Sequence, residues 1–218
     1  MTRIKFTEQL SDLNNEMIQM GSLCESAIDT CVDALLNSDV SMVKVVSQRE
    51  REIDEKESEI TALCMKMLLH QQPVASDLRQ ISAALKMVTD LERIGDQADD
   101  IGEMIAYTAD HKHGEYSLIQ KMGLATKKMV RDSIDAFVKQ DEKLACDVIK
   151  YDDVVDDLFI SLKKVVIEAI NKKEIDGEYA SDLLMIAKYF ERIGDHAVNV
   201  AEWVEYSITG IHRRDEQE

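Results

Sequence analysis

Residues Leu91–Glu103 read LERIGDQADDIGE and residues Phe190–Glu202 read FERIGDHAVNVAE, identical at seven of thirteen positions. A second pair of stretches extends the match. Ala34–Ile60 (ALLNSDVSMVKVVSQREREIDEKESEI) aligns without a gap on Ala136–Leu162 (AFVKQDEKLACDVIKYDDVVDDLFISL). Asp39 then lies opposite Asp141, Val46 opposite Val148, Glu50 opposite Asp152 and Asp54 opposite Asp156. The offset is 102 in the earlier stretches and 99 in the later ones, so three residues are missing from the second copy near Asn171–Asp176. The chain is a tandem repeat with a period of about one hundred residues, and whatever one half folds into, the other should repeat.

Each half reads as three helices. One proline, Pro73, and 8 glycines in 218 residues leave few breaks, and the abundant Ala, Leu, Met, Glu and Lys favour helix. The first helix is expected over Thr2–Leu36, with Asn37-Ser38-Asp39 ending it and capping the second. The second should run to His70, where Gln72-Pro73 interrupts it, because the residue before proline avoids the helical region. The third is expected over Val74–Ala109, and Asp110–Glu115, with Gly114, joins the halves. Helix four should then end at Lys139, helix five cover Asp141–Asn171 and helix six Asp176–Ile208. Leu78, Ile81, Leu85, Val88 and Leu91, spaced by three and four, form a core stripe. Met17, Met20, Met65 and Met67 read as core filler, and Trp203 as a core or interface residue. A helix of this length spans about 50 Å. The expected fold is all-α: six long helices forming two tandem antiparallel three-helix bundles, spectrin-repeat-like in outline. The domains would be 1–110 and 115–210, with 211–218 a polar tail.

Composition removes several function classes. The net charge of −17 repels nucleic-acid backbones and anionic lipid headgroups alike. Neither nucleic-acid binding nor direct membrane insertion is expected, and no apolar run is long enough to span a bilayer. Met1–Leu10 lacks the apolar region of a secretory leader. Cys24, Cys31, Cys64 and Cys146 form no C-x-x-C pair; Cys24 and Cys31, seven apart, share a helix face and read as reduced core residues. No Gly-rich phosphate loop and no G-x-S-x-G is present, so nothing points to nucleophilic catalysis.

The chemistry sits in the duplicated pentapeptide ERIGD, Glu92–Asp96 and Glu191–Asp195. Its Glu and Asp, four apart, share a helix face. In a chain with 43 acidic residues such a pair alone is unspecific, but duplication of the whole pentapeptide is not. The motif is also locally unfavourable. Like charges at this spacing cost a few tenths of a kcal/mol, and Gly95 and Gly194 each cost about 1 kcal/mol in a helix interior. Glycine would admit a close neighbour, and paired carboxylates suit a hard cation. Glu50/Asp54 and Asp152/Asp156 repeat the spacing on the second helices and, in an antiparallel bundle, face Glu92/Asp96 and Glu191/Asp195. Asp100 and Asn199 continue the same faces one turn on. The bland alternative is a solvated face with Arg93 and Arg192 paired to nearby acids. An all-oxygen site suits Fe, Mn, Mg or Ca better than Zn. A ferritin-like site would need Glu-x-x-His, whereas Gly95 and Gly194 hold that place. His196 has Gln97 as its counterpart and reads as an ordinary histidine; His70, His111, His113 and His212 fall at helix ends or connectors.

Two three-helix repeats with ERIGD on the third helix of each resemble the PhoU family of phosphate-transport regulators. Gln71–Arg79 (QQPVASDLR) and Glu191–Gly210 (ERIGDHAVNVAEWVEYSITG) resemble its pattern too, and the likeness covers residues 4 to 210. It implies a non-enzymatic, cytoplasmic adaptor, peripheral to the membrane through protein partners. Such an adaptor negatively regulates phosphate uptake and the starvation response by coupling the Pst transporter to its sensor kinase. It implies a homodimer, contacts with the transporter ATPase and the membrane sensor histidine kinase, and multinuclear iron, or another of these metals, on the carboxylate motifs. Asp152, where the first half has Glu50, keeps the charge but shortens the reach. Two other readings stand beside this one: a metal-dependent phosphoester hydrolase, and a purely structural bundle in which the carboxylates hold nothing.

Overall fold

In a computed structural model, which describes residues 2–70, 73–108 and 116–211, the chain forms six long helices and no strand among the described residues. They are α1 (Thr2–Asn37), α2 (Val43–His70), α3 (Ala75–Thr108), α4 (Tyr116–Lys139), α5 (Glu142–Asn171) and α6 (Gly177–Thr209). Each lies within three residues of its expected limits except at the start of α2. There the first turn is a separate 3-10 turn, Val40–Met42. The Gln72 and Asp110–Glu115 breaks, His111, His113, His212 and most of the tail fall outside the described residues.

The repeat shows first in the turns. Ser38 and Gln140, 102 apart, both adopt φ 52°. Behind each, the next residue's amide reaches back five positions: Asp39 N to Ala34 O and Asp141 N to Ala136 O, both 2.9 Å. These are Schellman closures. The same aspartates then cap the following helix. Asp39 accepts from Ser41 N and Asp141 from Leu144 N. One residue thus ends a helix geometrically and starts the next electrostatically, which keeps the turn short and the helices antiparallel.

Within each half the three helices pack on one another, and α1 with α4 and α3 with α6 pack across the halves. A single apolar core runs through all six helices. Phe137, Tyr179 and Phe190 are fully enclosed in it, each such side chain contributing about 1.5–3 kcal/mol. Cys24 and Cys31 lie in this core, donating to the carbonyls of Leu91 (3.4 Å) and Ala98 (3.1 Å). Burial pushes the Cys24 thiol up to about 12 and raises Cys31 as well. Lys127–Asp29 (2.8 Å) and Arg131–Glu25 tie α4 to α1 on the surface.

Two core expectations are corrected. Met17, Met20 and Met67 are fully buried, but Met65 is 47% exposed. In the α3 stripe, Ile81, Val88 and Leu91 are buried, whereas Leu78 is 45% exposed. Met65 faces away from the buried Ile60, Cys64 and Met67 stripe of α2, and Leu78 lies in the first turn of α3. Trp203 is half-buried and meets Tyr206 edge-on, with ring centroids 5.6 Å apart. Among the described residues no helix is long and apolar enough to cross a membrane.

Candidate metal centre

The third helices carry the site, and their contact places it. Asp90 of α3 meets α6 at His196, whose Nδ1 lies 2.9 Å from Asp90 Oδ1, and at Asn199, whose Nδ2 donates to the same oxygen at 3.1 Å. Tyr189 of α6 in turn lies in the field of Asp100 and Glu103 of α3. The helices therefore run past each other in opposite senses, and the two ERIGD copies lie side by side at their crossing.

Each motif glycine receives the second helix of its own repeat. A Cβ at Gly95 would lie 3.0 Å from Ile53 Cδ1 and 3.2 Å from its Cγ2. At Gly194 it would lie 3.0 Å from Asp152 Oδ1. The absent side chain lets α2 and α5 approach closely enough to bring their carboxylates to those of α3 and α6.

In the first repeat the carboxylates converge. Glu50 and Asp54 of α2 and Asp96 of α3 each place a ligand oxygen within 4.8 Å of the others. Burial raises the Glu50 carboxyl above its ordinary value, and the charges of Asp54 and Asp99 raise it further. Burial, then Asp96, raises Glu92; burial, then Glu103 and Asp96, raises Asp100. Such mutual repulsion is relieved by a bound cation. The donor set is all carboxylate, as hard cations require, so this cluster could hold a metal ion. The competitor is Arg93, whose Nη1 donates to Asp96 at 2.8 Å and whose Nε lies 3.4 Å from Glu92. Glu92 itself borders a neighbouring hollow lined by Asp54, Glu57, Ser58, Thr89 and Arg93.

In the second repeat Asp152, Asp156, Glu191 and Asp195 share one field. Burial and the charges of Asp156, Asp195 and Glu191 push Asp152 up to about 6. Burial also raises Asp156 and Asp195, with Glu191 adding to both. No set of three ligand atoms among the described residues of this repeat comes as close as the first. Glu191 is paired with Lys188, which has the neutral Thr89 as its counterpart.

The remaining expected site residues divide. Asp100 joins Asp96 around a cavity of about 340 Å³ between α3 and α6, lined also by Glu50, Arg93, Gln97, Asp99 and Arg192. Asn199 turns across the α3–α6 contact to Asp90. His196 bonds the same carboxylate, an ordinary structural role. Sequence reading missed Asp99, which accepts from Ser47 Oγ at 2.6 Å across α2 and α3. Its counterpart Val198 hid it from a search based on duplication.

The PhoU domain family matches residues 17–105 and again 119–204. A phosphate-specific transport system accessory protein PhoU homolog of Clostridium acetobutylicum is 37% identical over 212 residues, spanning 96% of this chain and 97% of its own. The Pseudomonas aeruginosa homolog of the same description is 31% identical, spanning 96% of this chain and 88% of its own. The crystal structure of PhoU from Pseudomonas aeruginosa superposes with a TM-score of 0.87 at 31% identity, covering 94% of this chain and 100% of that one. A phosphate transport system regulatory protein PhoU from Streptococcus pneumoniae, at 24% identity and a TM-score of 0.87, shares the fold.

Proposed function

The chain belongs to the PhoU family, and from that premise we propose that it is a cytoplasmic, non-enzymatic regulator of phosphate transport, holding metal ions on its carboxylate clusters. The reading is carried by full-length likeness to accessory proteins of phosphate-specific transport systems. In this reading the chain restrains the high-affinity phosphate transporter when phosphate is plentiful and couples it to a membrane sensor kinase. The partners are the transporter's ATPase subunit, the kinase and a second copy of this chain. The −17 charge suits docking onto basic cytoplasmic surfaces. The repeats 1–110 and 115–210 act as the two domains, with 211–218 a polar tail.

Glu50, Asp54 and Asp96 hold the first cation, with Glu92 and Asp100 at its edge. Asp152, Asp156, Glu191 and Asp195 hold a second, with Asn199 beside them. Hard or borderline metals suit these oxygen donors: iron first, then manganese, magnesium or calcium, and zinc least. A loaded metal supplies positive charge where the bare chain has only carboxylates.

The test is phosphate uptake in phosphate-rich medium, in cells with and without the chain. Uptake and scavenging genes that stay switched on without it support the regulator; unchanged uptake in a strain lacking any paralogue refutes it. Metal content of the purified protein, compared with Asp96→Asn, tests the cation cluster separately.

A further inference from the structure

The two copies of ERIGD are identical, yet their arginines behave differently. In the first, Arg93 Nη1 donates to Asp96 at 2.8 Å and its Nε lies 3.4 Å from Glu92. In the second, Arg192 forms no ion pair or side-chain hydrogen bond among the described residues. Lys188, one turn earlier, takes that part by pairing with Glu191, where the first repeat has Thr89. Each cluster thus has one side-chain cation, supplied from a different position. Both cations oppose the field around them. Burial and Asp96 raise the Glu92 carboxyl while Arg93 lowers it; burial and Glu191 raise Asp195 while Lys188 lowers it. Neither cation is enclosed: Arg93 is 54% and Lys188 46% exposed, and exposed pairs part at little cost. Each also has a second resting place. Arg93 borders both the cavity of Glu50 and Asp96 and the hollow of Asp54 and Glu57, so it stands at the junction of the two. Lys188 lies over the Phe159 ring, 5.8 Å from its centroid, where the ring face attracts an ammonium.

We propose that Arg93 and Lys188 are resident counter-cations, each neutralising part of its cluster in the metal-free protein and yielding its carboxylate when a cation enters. The inference rests on the proposed cation clusters and adds what regulates them. In the metal-free chain the pairs offset part of the carboxylate repulsion that four acids on two facing helices create. Arg93 has to leave Asp96 before Glu50, Asp54 and Asp96 close on one cation, because two positive charges on one carboxylate repel. Lys188 has to leave Glu191 in the same way. The apparent affinity of each half is therefore its intrinsic affinity reduced by the fraction of chains whose carboxylate is free. The two halves are tuned separately, one by an arginine within the motif and one by a lysine before it.

The test is a manganese titration of the full chain, following the electron paramagnetic resonance of free Mn(II), paired with urea denaturation in chelator. Arg93→Gln should tighten manganese binding at the site that Glu50→Gln removes by about three- to tenfold and leave the other site alone. Lys188→Gln should do the converse, and Arg192→Gln should change either by about twofold at most. In chelator, Arg93→Gln and Lys188→Gln should each lower the ratio of folded to unfolded chains by about two- to fivefold. Arg93→Lys, which keeps the charge, should restore most of both effects. If the parent binds no manganese, the cation clusters fail and the competing role of both side chains fails with them. If the parent binds manganese but Arg93→Gln binds it no more tightly, or Arg192→Gln tightens it as much as Arg93→Gln, the counter-cation role is overturned and the clusters stand.

Discussion

Replacing Asp152 by Asn should stabilise the metal-free protein at neutral pH, although Asp152 is a proposed metal ligand. Its carboxyl lies over Gly194 among Asp156, Asp195 and Glu191, and burial with their repulsion moves it from 3.8 to about 6. A shift of that size corresponds to about 3 kcal/mol. The side chain is only half-buried, so solvent screening reduces the figure to about 1–2 kcal/mol. The sign follows from proton linkage. Between about pH 4 and pH 6 the folded carboxyl retains a proton that the unfolded chain has lost, so stability falls as pH rises through that window. Above it the charged carboxylate exerts its full penalty; below it the penalty vanishes. Asn keeps the shape over Gly194 without the charge. Urea denaturation in chelator should show Asp152→Asn more stable than the parent at pH 7, with the difference gone near pH 4. Added manganese should reverse the order, because the parent gains a ligand interaction that the variant lacks. A variant less stable than the parent in chelator at pH 7 would refute the account of Asp152 as a strained, cation-seeking carboxylate.

The two motif glycines should respond oppositely to alanine. Gly95→Ala presses on the branched Ile53 side chain and, despite about 1 kcal/mol of helix propensity, should be destabilised by up to about 2 kcal/mol with weaker cation binding. Gly194→Ala meets a carboxylate that can swing toward solvent and should be neutral or up to about 1 kcal/mol more stable; calorimetry of both checks the contrast. Ser38→Gly and Lys173→Gly relieve positive φ and should each stabilise by about 0.5–1 kcal/mol in urea denaturation, a loss being contrary to the closure geometry. Because burial raises the thiols of Cys24, Cys31 and Cys64, a thiol reagent at pH 8 should leave all three unmodified in the native protein and reach them after denaturation. Peptide mapping reads the result, and early labelling of Cys31 would contradict its enclosure. Manganese titration should show two phases, with Glu50→Gln removing the tighter one; a single phase of two equal sites would count against inequivalent repeats.

Helix number and limits were legible because local rules decide them. Scarce breakers and a capping aspartate in each repeat act over four or five residues. The exposed Leu78 was not legible, because periodicity identifies a face but not how far a neighbouring helix extends to cover it, whereas Met65 stands off the stripe of Ile60, Cys64 and Met67. The pairing of Glu50 and Asp54 with Asp96 followed from antiparallel packing of duplicated acids, and the motif glycines signalled the close approach. Asp99 was invisible to a search for duplication, since its counterpart is Val198. The turn of Asn199 to Asp90 depends on the α3–α6 crossing, which joins residues 109 apart and leaves no trace in local spacing.

That crossing also explains how one repeated sequence yields two unlike sites. Duplication supplies the same four carboxylates to both clusters, but the first also has Asp99 and Asp100 where the second has Val198 and Asn199, and three further substitutions separate them. Asp152 for Glu50 shortens a ligand arm by one methylene and fixes it over Gly194, where it is deprotonated only at a cost. Lys188 for Thr89 gives the second cluster an internal cation on Glu191. His196 for Gln97 replaces an unsatisfied buried amide with a ring bonded to Asp90, so only the first repeat keeps an open polar group at the seam. The first cluster is left with three converging oxygens and a cavity beside it; the second is partly neutralised by its own lysine. A cation entering the first cluster would have to displace Arg93 from Asp96, and one entering the second would have to displace Lys188 from Glu191.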